Sequence, residues 1–141
     1  VIVIIGVSIV EEFRLKTIEE LISLINEETS SNSLSSFKKD IKKLNDRNLL
    51  LKIFFAVREI KKDYSIGDKK TGDLCGVRTV KINYKKVAYR IAYYVDKPNL
   101  DSEQVNIMFI HVGSRENFYK ELRDYFKNQK SLLKYINNNA I

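Results

Sequence analysis

Three β-type runs follow one another in the second half of the chain, and their order constrains the fold more than any other feature. Residues 77–84 (VRTVKINY) alternate in polarity, residues 85–95 (KKVAYRIAYYV) are rich in Val, Ile and Tyr, and residues 105–113 (VNIMFIHVG) are mostly apolar. Alternation and β-branched enrichment are typical of strands, and a continuous apolar run is typical of a central strand. We therefore predict an antiparallel meander of three strands, with its first turn near Tyr84–Lys86.

Helical periodicity flanks this meander on both sides. Apolar residues recur at helical spacing over residues 36–46 and 47–62, and Asp46 stands where it would cap the second helix. The short connection between the two predicts a helical hairpin. After the meander, Ser114 fits the N-cap of a last helix over residues 115–127. We expect the tail beyond this helix to add one more turn or to fray.

The beginning of the chain differs from the rest in charge. The run VIVIIGVSIV (1–10) is too short to span a bilayer and lacks the basic start of a secretory signal, so we predict a buried strand. Residues 11–28 have the periodicity of an amphipathic helix. Residues 1–33 hold six Glu against one Arg and one Lys, a net charge of −4. Since the whole chain carries +7, residues 34–141 carry +11. The Ser- and Asn-rich segment 28–36 is predicted as a loop between the two parts.

Together these elements predict an α+β fold. It has an antiparallel sheet of about four strands, a helical hairpin before the meander and a C-terminal helix after it, with the helices packed against one sheet face. The predicted organisation has three parts: an acidic strand–helix extension over residues 1–33, a main domain over residues 34–127, and a tail over residues 128–141.

Composition and spacing exclude several kinds of chemistry. The chain has one His and one Cys, so it has no disulfide framework, which fits a reducing cytosol. No metal-ligand spacing, phosphate-binding glycine loop or Ser–His–Asp pattern occurs, and we expect neither a metal nor a cofactor. Cys75 is expected to be a small buried or half-buried side chain. His111, between two apolar residues, is expected to be structural rather than catalytic.

A set of cationic and aromatic residues follows the predicted strands. Residues 76–98 carry six basic side chains against Asp96, a net charge of +5. Cations bind phosphates and tyrosine rings stack on bases, a combination that suits single-stranded RNA better than a duplex groove. The set comprises Arg78, Lys81, Lys85, Lys86, Tyr89, Arg90, Arg115 and Tyr119.

The same residues also have a simpler interpretation. Basic side chains that alternate along a strand are what a solvated sheet face carries, and tyrosines pack well on sheets. The basic excess of the chain fits nucleic acid, the ribosome, an anionic membrane or an acidic protein, and charge does not choose among them. Spacing alone leaves the function undecided.

The stretch GVRTVKINYKKVAYRIAYYV, followed by a loop and VNIMFIHVGSRENFYKEL, resembles the C-terminal half of RelE/ParE-superfamily toxins of type II toxin–antitoxin systems. The resemblance rests on a glycine-flanked basic strand (76–81), a Tyr-Arg-Ile-Ala-Tyr strand (89–93), and Gly-Ser-Arg (113–115) followed by Phe118-Tyr119. The preceding FKKDIKKLNDRNLLLKIFFAVREI resembles the helical hairpin of these toxins. The similarity covers about residues 34–127, the predicted main domain.

For the RelE-like branch, the resemblance implies an mRNA interferase that acts in the ribosomal A site without a metal. This endoribonuclease makes a 2′-hydroxyl attack the adjacent phosphate, which leaves a 2′,3′-cyclic phosphate and inhibits translation. By position, Arg90 is similar to the arginine that stabilises the transition state, and Lys81 to a lysine that acts as base or phosphate ligand. Arg115 is similar to a residue that stabilises the leaving group or phosphate, and Tyr119 to one that orients or activates the nucleophile. The implied RNA contacts are Arg78, Lys85, Lys86 and Tyr89.

The chain also departs from the pattern of these toxins. A second strand lysine of the family falls at Thr79 here. The family has a short strand directly before the helical hairpin, and because SNSLSS has a poor composition for a strand, we expect residues 1–10 to fill that sheet edge. The acidic helix predicted at 11–28 either covers the cationic face in cis or is an additional packing helix.

The resemblance further implies a cognate antitoxin, together with mRNA and the ribosome, as partners. The expected location is the cytoplasm, with no membrane partner. Two other functions stay open. One is the ParE-like branch, which poisons DNA gyrase and needs no such set of residues, and the other is an inactive toxin-like module that only binds a partner.

Overall fold

The sheet and helices of this protein are seen in a computed structural model, which describes residues 31–97 and 105–141 together with residues 19, 20 and 23. Its strands are β1 (Ser31–Ser33), β2 (Asp68–Lys69), β3 (Arg78–Tyr84), β4 (Val87–Asp96) and β5 (Asn106–Ser114). Its helices are α1 (Ser35–Lys43), α2 (Arg47–Lys62), α3 (Arg115–Lys127) and α4 (Lys130–Asn139). The predicted strand at 1–10 lies outside the described residues, as does nearly all of the helix predicted at 11–28.

The predicted meander forms the centre of a five-stranded sheet with the order β1-β5-β4-β3-β2. Strands β2 to β5 pair antiparallel, and β1 pairs parallel to β5. The hairpin between β3 and β4 turns at Lys85 and Lys86, where the turn was predicted, and both residues have positive φ (47° and 65°). Positive φ at both central residues is the geometry whose twist matches a two-residue hairpin. The α+β fold class is confirmed.

Helices cover both faces of the sheet, so the expectation that they share one face is wrong. One core cluster joins α1 and α2 to the sheet through residues such as Ile91, Tyr93 and Phe109. The other joins α3 and α4 to the opposite face through residues such as Ala92 and Ile110. Residues 91–95 of β4 are buried without interruption. A strand buried on both faces has no polar face to expose, which explains the apolar run in its sequence.

The edge strand before the helical hairpin is β1, and the prediction of a loop there is wrong. Ser31 pairs with Ile107 and Ser33 with Phe109, and the N–H of Leu34 donates to the Phe109 carbonyl at 2.9 Å. Main-chain bonds to a buried strand outweigh the weak strand preference of Ser and Asn, because β-propensity depends strongly on context.

Side chains from α1 continue the pairing of β5 where β1 ends. The Ser36 hydroxyl donates to the Ile110 carbonyl at 2.6 Å, and the Val112 N–H donates to Asp40 Oδ2 at 3.2 Å. Main-chain groups on a sheet edge would otherwise be open to pairing with another chain. These two bonds therefore cover the edge of β5 nearest the beginning of α3.

The helical hairpin begins its second helix where the sequence predicts. The Asp46 side chain accepts hydrogen bonds from the N–H groups of Asn48 (3.0 Å) and Leu49 (3.3 Å). These bonds satisfy two of the donors that a helix start leaves free. Helix α3 starts directly after Ser114, although the Ser114 side chain makes no capping bond.

The tail forms a complete helix, α4, rather than a single turn. Its Ile136 is fully buried, and its backbone lies against the turn at Gly76. A Cβ on Gly76 would lie 2.5 Å from the Ile136 carbonyl oxygen, and the φ of Gly76 is +95°. Glycine is the residue that permits both the conformation and the close approach. Cys75, beside it, is exposed, so its expected burial is wrong.

Candidate cationic cleft

Two basic residues face each other across the central hairpin. Lys81 on β3 pairs with Arg90 on β4, and Arg90 pairs on its other side with Gly113 on β5. Directly paired residues on antiparallel strands point to the same face of the sheet. This is the face that α3 covers, because Ala92, two residues from Arg90, packs with α3. Gly113 contributes no side chain beside Arg90, and a Cβ there would lie 3.1 Å from His111 Nε2.

An open cleft of about 710 Å³ lies on this face beside the start of α3. It brings together three basic residues that the sequence predicts as functional, Lys81, Lys86 and Arg115. One carboxylate, that of Glu116, also lines it. The remaining lining residues are Asn83, Val87, Ala88 and Ser114.

Arg90 lies next to this cleft against Tyr119 of α3. The guanidinium carbon of Arg90 is 5.8 Å from the centroid of the Tyr119 ring. Its Nη1 is buried and has no hydrogen-bond partner among the described residues. A buried donor without an acceptor costs about 1–3 kcal/mol, more when it is charged. An anionic oxygen placed here would remove that cost.

The Tyr119 ring is surrounded by three cations. Lys70 Nζ and the guanidinium carbons of Arg90 and Arg123 lie 5.7, 5.8 and 5.9 Å from its centroid. Burial raises the pKa of the Tyr119 hydroxyl, but hydrogen bonds with Lys70 and Thr79 and the charges of Lys70 and Arg90 outweigh it. The pKa of Tyr119 therefore lies below its ordinary value, so this hydroxyl ionises more readily than a free tyrosine.

Four residues expected at the site thus meet on one face: Lys81, Arg90, Arg115 and Tyr119. Lys86 joins them on the cleft wall. Lys85 points elsewhere, because its Nζ lies 3.6 Å from Asp46 Oδ2 at the start of α2. The turn thus sends one of its two lysines toward the cleft and the other toward the helical hairpin.

Arg78 and Tyr89 do not reach the cleft. Arg78 is 5% exposed, and its guanidinium donates to the carbonyls of Ile141 (3.2 Å) and Gly67 (3.3 Å). Tyr89 packs in the cluster beneath α1 and α2. Strand side chains alternate between faces, so Arg78, three residues before Lys81, must point away from it. The expected RNA contacts of Arg78 and Tyr89 are therefore not part of this site.

Three residues of the site were missed from the sequence. Lys70 and Thr79 contact the Tyr119 hydroxyl, and Arg123 lies beside its ring. Arg123 also pairs with Asp73 at 2.9 Å, which ties α3 to the loop before β3. Arg123 follows Tyr119 by one helical turn, a spacing that sequence can reveal. Lys70 lies in a loop, and only the folded chain brings it to Tyr119.

His111 lies nearby on the same strand as Gly113, with its ring against Phe118. Its Nδ1 is 2.6 Å from Asp40 Oδ2, and its Nε2 is 3.7 Å from Glu121 Oε2. The side chain is 6% exposed and links α1 to α3 across β5. This placement agrees with the structural role expected for it.

Two further observations concern the described residues as a whole. No helix among them combines the length and apolar character that crossing a bilayer requires. Nor do three or more His, Cys, Asp or Glu side chains in residues 31–97 and 105–141 converge in a group able to hold a metal ion.

The fold and the cleft define a small basic α+β protein with a cationic site on one face of its sheet. Residues 32–123 match the family model described as the ParE-like toxin of type II bacterial toxin–antitoxin systems, and the chain belongs to this family. Membership in the RelE/ParE superfamily is thereby confirmed, and with it a toxin whose partner is a cognate antitoxin. Comparisons with the curated proteins and with solved structures give no match.

Proposed function

We propose that this toxin is a ribosome-dependent mRNA endonuclease that cleaves RNA in the cationic cleft. The observation that carries the proposal is the convergence of Lys81, Arg90 and Arg115 with Tyr119 on one face of the sheet. The family resemblance implies that a gyrase-poisoning toxin needs no such convergence. Arg90 in particular holds a buried, unpartnered donor that an anionic ligand would satisfy.

The proposed reaction is an internal transesterification. The 2′-oxygen of a nucleotide attacks the adjacent phosphorus, the bond from phosphorus to the 5′-oxygen breaks, and a 2′,3′-cyclic phosphate remains. Tyr119 in its ionised form accepts the 2′-hydroxyl proton, which its lowered pKa favours. The departing 5′-oxygen takes a proton from the Lys81 ammonium, since arginine keeps its protons.

The arginines act by charge. Arg90 binds the non-bridging oxygens as negative charge grows on the pentacoordinate phosphate, and Arg115 stabilises the departing oxygen. Donors fixed in place before the reaction are worth more than donors that must reorganise, and loss of one such donor costs about 10²–10³ in rate. Arg90 is fixed in this way by Tyr119 and by its paired neighbours.

Contact with the ribosome is assigned to helix α1 and the rim of the cleft. Helix α1 carries Lys39, Lys42 and Lys43 as exposed residues, with Lys38 half-buried. Cationic surfaces attract ribosomal RNA and speed association. The proposed site of action is accordingly the cytoplasm.

The first prediction tests the cleft directly. Arg90→Ala should lower the rate of mRNA cleavage at least about 100-fold, because it removes the main contact to the phosphate. The melting temperature should change little, because the loss of the contact with the Tyr119 ring is offset by removal of the buried, unpartnered Nη1. The measurement is 5′-end mapping of cellular mRNA after induction, with growth inhibition and thermal unfolding in parallel.

Lys62→Ala is the matched control for this experiment. Lys62 is an exposed lysine at the end of α2, where it pairs with Glu59. The Lys62→Ala variant should cleave mRNA and inhibit growth like the wild type. If the wild type leaves mRNA intact, or Arg90→Ala cuts as well as the wild type, the nuclease proposal fails.

Poisoning of DNA gyrase is the second candidate, and the description of the matched family as ParE-like favours it. This function predicts a DNA-damage response on induction rather than new mRNA 5′-ends. It also predicts that Arg90→Ala and Tyr119→Phe stay toxic. The same induced cultures therefore distinguish the two functions.

A further inference from the structure

Lys70 is a cation that a loop, rather than a strand or a helix, places beside Tyr119. It follows β2 in the loop before β3, and its N–H donates to the Val77 carbonyl at 2.8 Å, which fixes the backbone of the loop. Its Nζ lies 5.7 Å from the centroid of the Tyr119 ring and hydrogen-bonds the Tyr119 hydroxyl. The loop therefore places an ammonium group beside a phenol on a different element.

The three cations around Tyr119 have different partners. Arg123 forms an ion pair with Asp73, with its Nε 2.9 Å from Oδ2. Arg90 lies over the ring, and its buried Nη1 has no hydrogen-bond partner among the described residues. Within residues 31–97 and 105–141, Lys70 forms no ion pair with a carboxylate. The charges of Lys70 and Arg90 both favour the ionised Tyr119 oxygen, and of the two only Lys70 also hydrogen-bonds that oxygen.

Thr79 holds the same oxygen from the sheet. Its side chain is buried on β3 and hydrogen-bonds the Tyr119 hydroxyl. The hydrogen bonds from Thr79 and from the Lys70 ammonium favour the ionised hydroxyl, even though burial alone would favour the neutral phenol. Thr79 fixes the position of the oxygen, and Lys70 adds the positive charge that Thr79 lacks.

We propose that Lys70 is the positioning residue of Tyr119: its ammonium group, carried by the loop after β2, holds the tyrosine side chain in place beside Arg90 on the sheet face that α3 covers. The coupling between the two side chains stands on the structure alone. Its use, a hydroxyl ready to accept a proton from RNA, rests on the proposed nuclease function.

The second prediction follows the ionisation of Tyr119 itself. In protein labelled with ¹³C at tyrosine Cζ, the Tyr119 signal is assigned as the one missing from Tyr119→Phe. Lys70→Met, which keeps the length of the side chain and removes its charge, should move the Tyr119 titration to higher pH. Lys70→Arg, which restores a cation, should return it toward the wild-type value.

These outcomes decide the proposal. If Tyr119 titrates in Lys70→Met as in the wild type, and both proteins unfold at the same temperature, Lys70 does not stabilise the ionised hydroxyl and the inference is overturned. Rescue by Lys70→Arg together with a shift in Lys70→Met supports it, because a purely structural lysine would move the unfolding temperature and not the titration.

RNA cleavage is measured separately, so that the two proposals fail separately. In an active toxin, the pH–rate profile of Lys70→Met should shift as the Tyr119 titration does, with a loss near neutral pH of about tenfold per pKa unit. If the wild type cuts no RNA at any pH while the Tyr119 titration still depends on Lys70, the nuclease function is rejected and the positioning role of Lys70 is retained.

Discussion

At the scale of single residues, the Asp46 carboxylate connects the helical hairpin to the β-hairpin. One oxygen caps α2, and the other accepts a hydrogen bond from the Tyr84 hydroxyl at 2.6 Å and lies 3.6 Å from Lys85 Nζ. The hydrogen bond from Tyr84, followed by bonds from Leu49 and Asn48 and the charge of Lys85, lowers the pKa of Asp46 despite partial desolvation. The ionised carboxylate is therefore favoured by the folded state.

The third prediction follows from the sign of that shift. A carboxyl whose pKa is lower in the folded state stabilises the fold above its unfolded pKa, and this contribution disappears as the pH falls through the folded pKa. Asp46→Asn keeps an acceptor for the cap but loses the charge. We expect a lower melting temperature than the wild type at pH 7, with the difference shrinking below about pH 4.

Thermal unfolding of both proteins from pH 7 to pH 3 measures this difference. Asp124→Asn is a suitable control, since its carboxylate makes only an exposed pair with Lys127. A gap between Asp46→Asn and the wild type that stays constant over the whole range would contradict the role assigned to the charge.

Residue-level prediction succeeded where the signal is local. Asp46 as a helix cap is such a case, because a cap is decided within four residues of the chain. The basic residues of β3 were harder to place. Arg78 and Lys81 are both basic residues of the same strand. Only the alternation of side chains between the two sheet faces distinguishes the buried arginine from the lysine of the cleft.

At the scale of elements, the docking of α4 depends on the turn before β3. Gly76 and Gly72 both have positive φ, at 95° and 69°. A Cβ at Gly76 would strike the backbone of α4, whereas a Cβ at Gly72 would meet nothing within 4 Å. Alanine substitutions at the two positions therefore separate the cost of backbone strain from the cost of a steric clash with α4.

The fourth prediction uses this pair. Gly72→Ala should lower the free energy of unfolding by about 1–2 kcal/mol, the cost of a left-handed conformation for an L-residue. Gly76→Ala should cost more and should release α4. Denaturant unfolding measures the first effect, and hydrogen exchange of the amides of residues 130–139 measures the second. Equal losses with an equally protected α4 would refute the argument.

Prediction of elements was best for those defined by side-chain pattern. The helix over residues 47–62 and the turn at Lys85–Lys86 lie where the sequence puts them. β1 was missed because three polar residues form it through main-chain bonds to β5. The full length of α4 was not predicted, because the helix is held by Ile136, which packs in a core cluster formed by residues far away in the sequence.

At the scale of the whole molecule, the proposed binding of RNA would depend on charge. The chain carries a net charge of +7, and among the described residues the cleft places three cations beside one carboxylate, that of Glu116. Binding to a phosphate backbone releases counterions, so affinity falls with salt in proportion to the number of phosphates contacted. The salt dependence of the RNA affinity therefore measures how many phosphates the protein contacts.

The fifth prediction is that Lys86→Ala lowers the slope of log affinity against log salt by about 0.7, the value for one phosphate of single-stranded RNA. Fluorescence anisotropy of a labelled single-stranded RNA measures it, with a Tyr119→Phe background to prevent cleavage. Lys62→Ala in the same background should leave the slope unchanged. An unchanged slope in Lys86→Ala would exclude Lys86 from the proposed RNA-binding surface.

The residues of the candidate site that lie on strands and helices could be predicted from the sequence, whereas the residue that lies in a loop could not. Its strand and helix members, Lys81, Arg90, Arg115 and Tyr119, stand at regular places in a recognisable order. Lys70 belongs to a loop whose path depends on β2, on Val77 and on the docking of α3. No local pattern encodes that path, so its contact with Tyr119 appears only in the folded chain.

At the turn between β3 and β4, the residues that would be most stable differ from those that give the cleft its charge. Two-residue hairpins of this type favour Asn-Gly, and a left-handed L-residue costs about 1–2 kcal/mol. Lys85 and Lys86 occupy these positions nonetheless. Variants selected only for thermal stability would therefore be expected to carry Asn and Gly at these two positions. Such variants would lack Lys86 and with it the positive charge on the rim of the cleft.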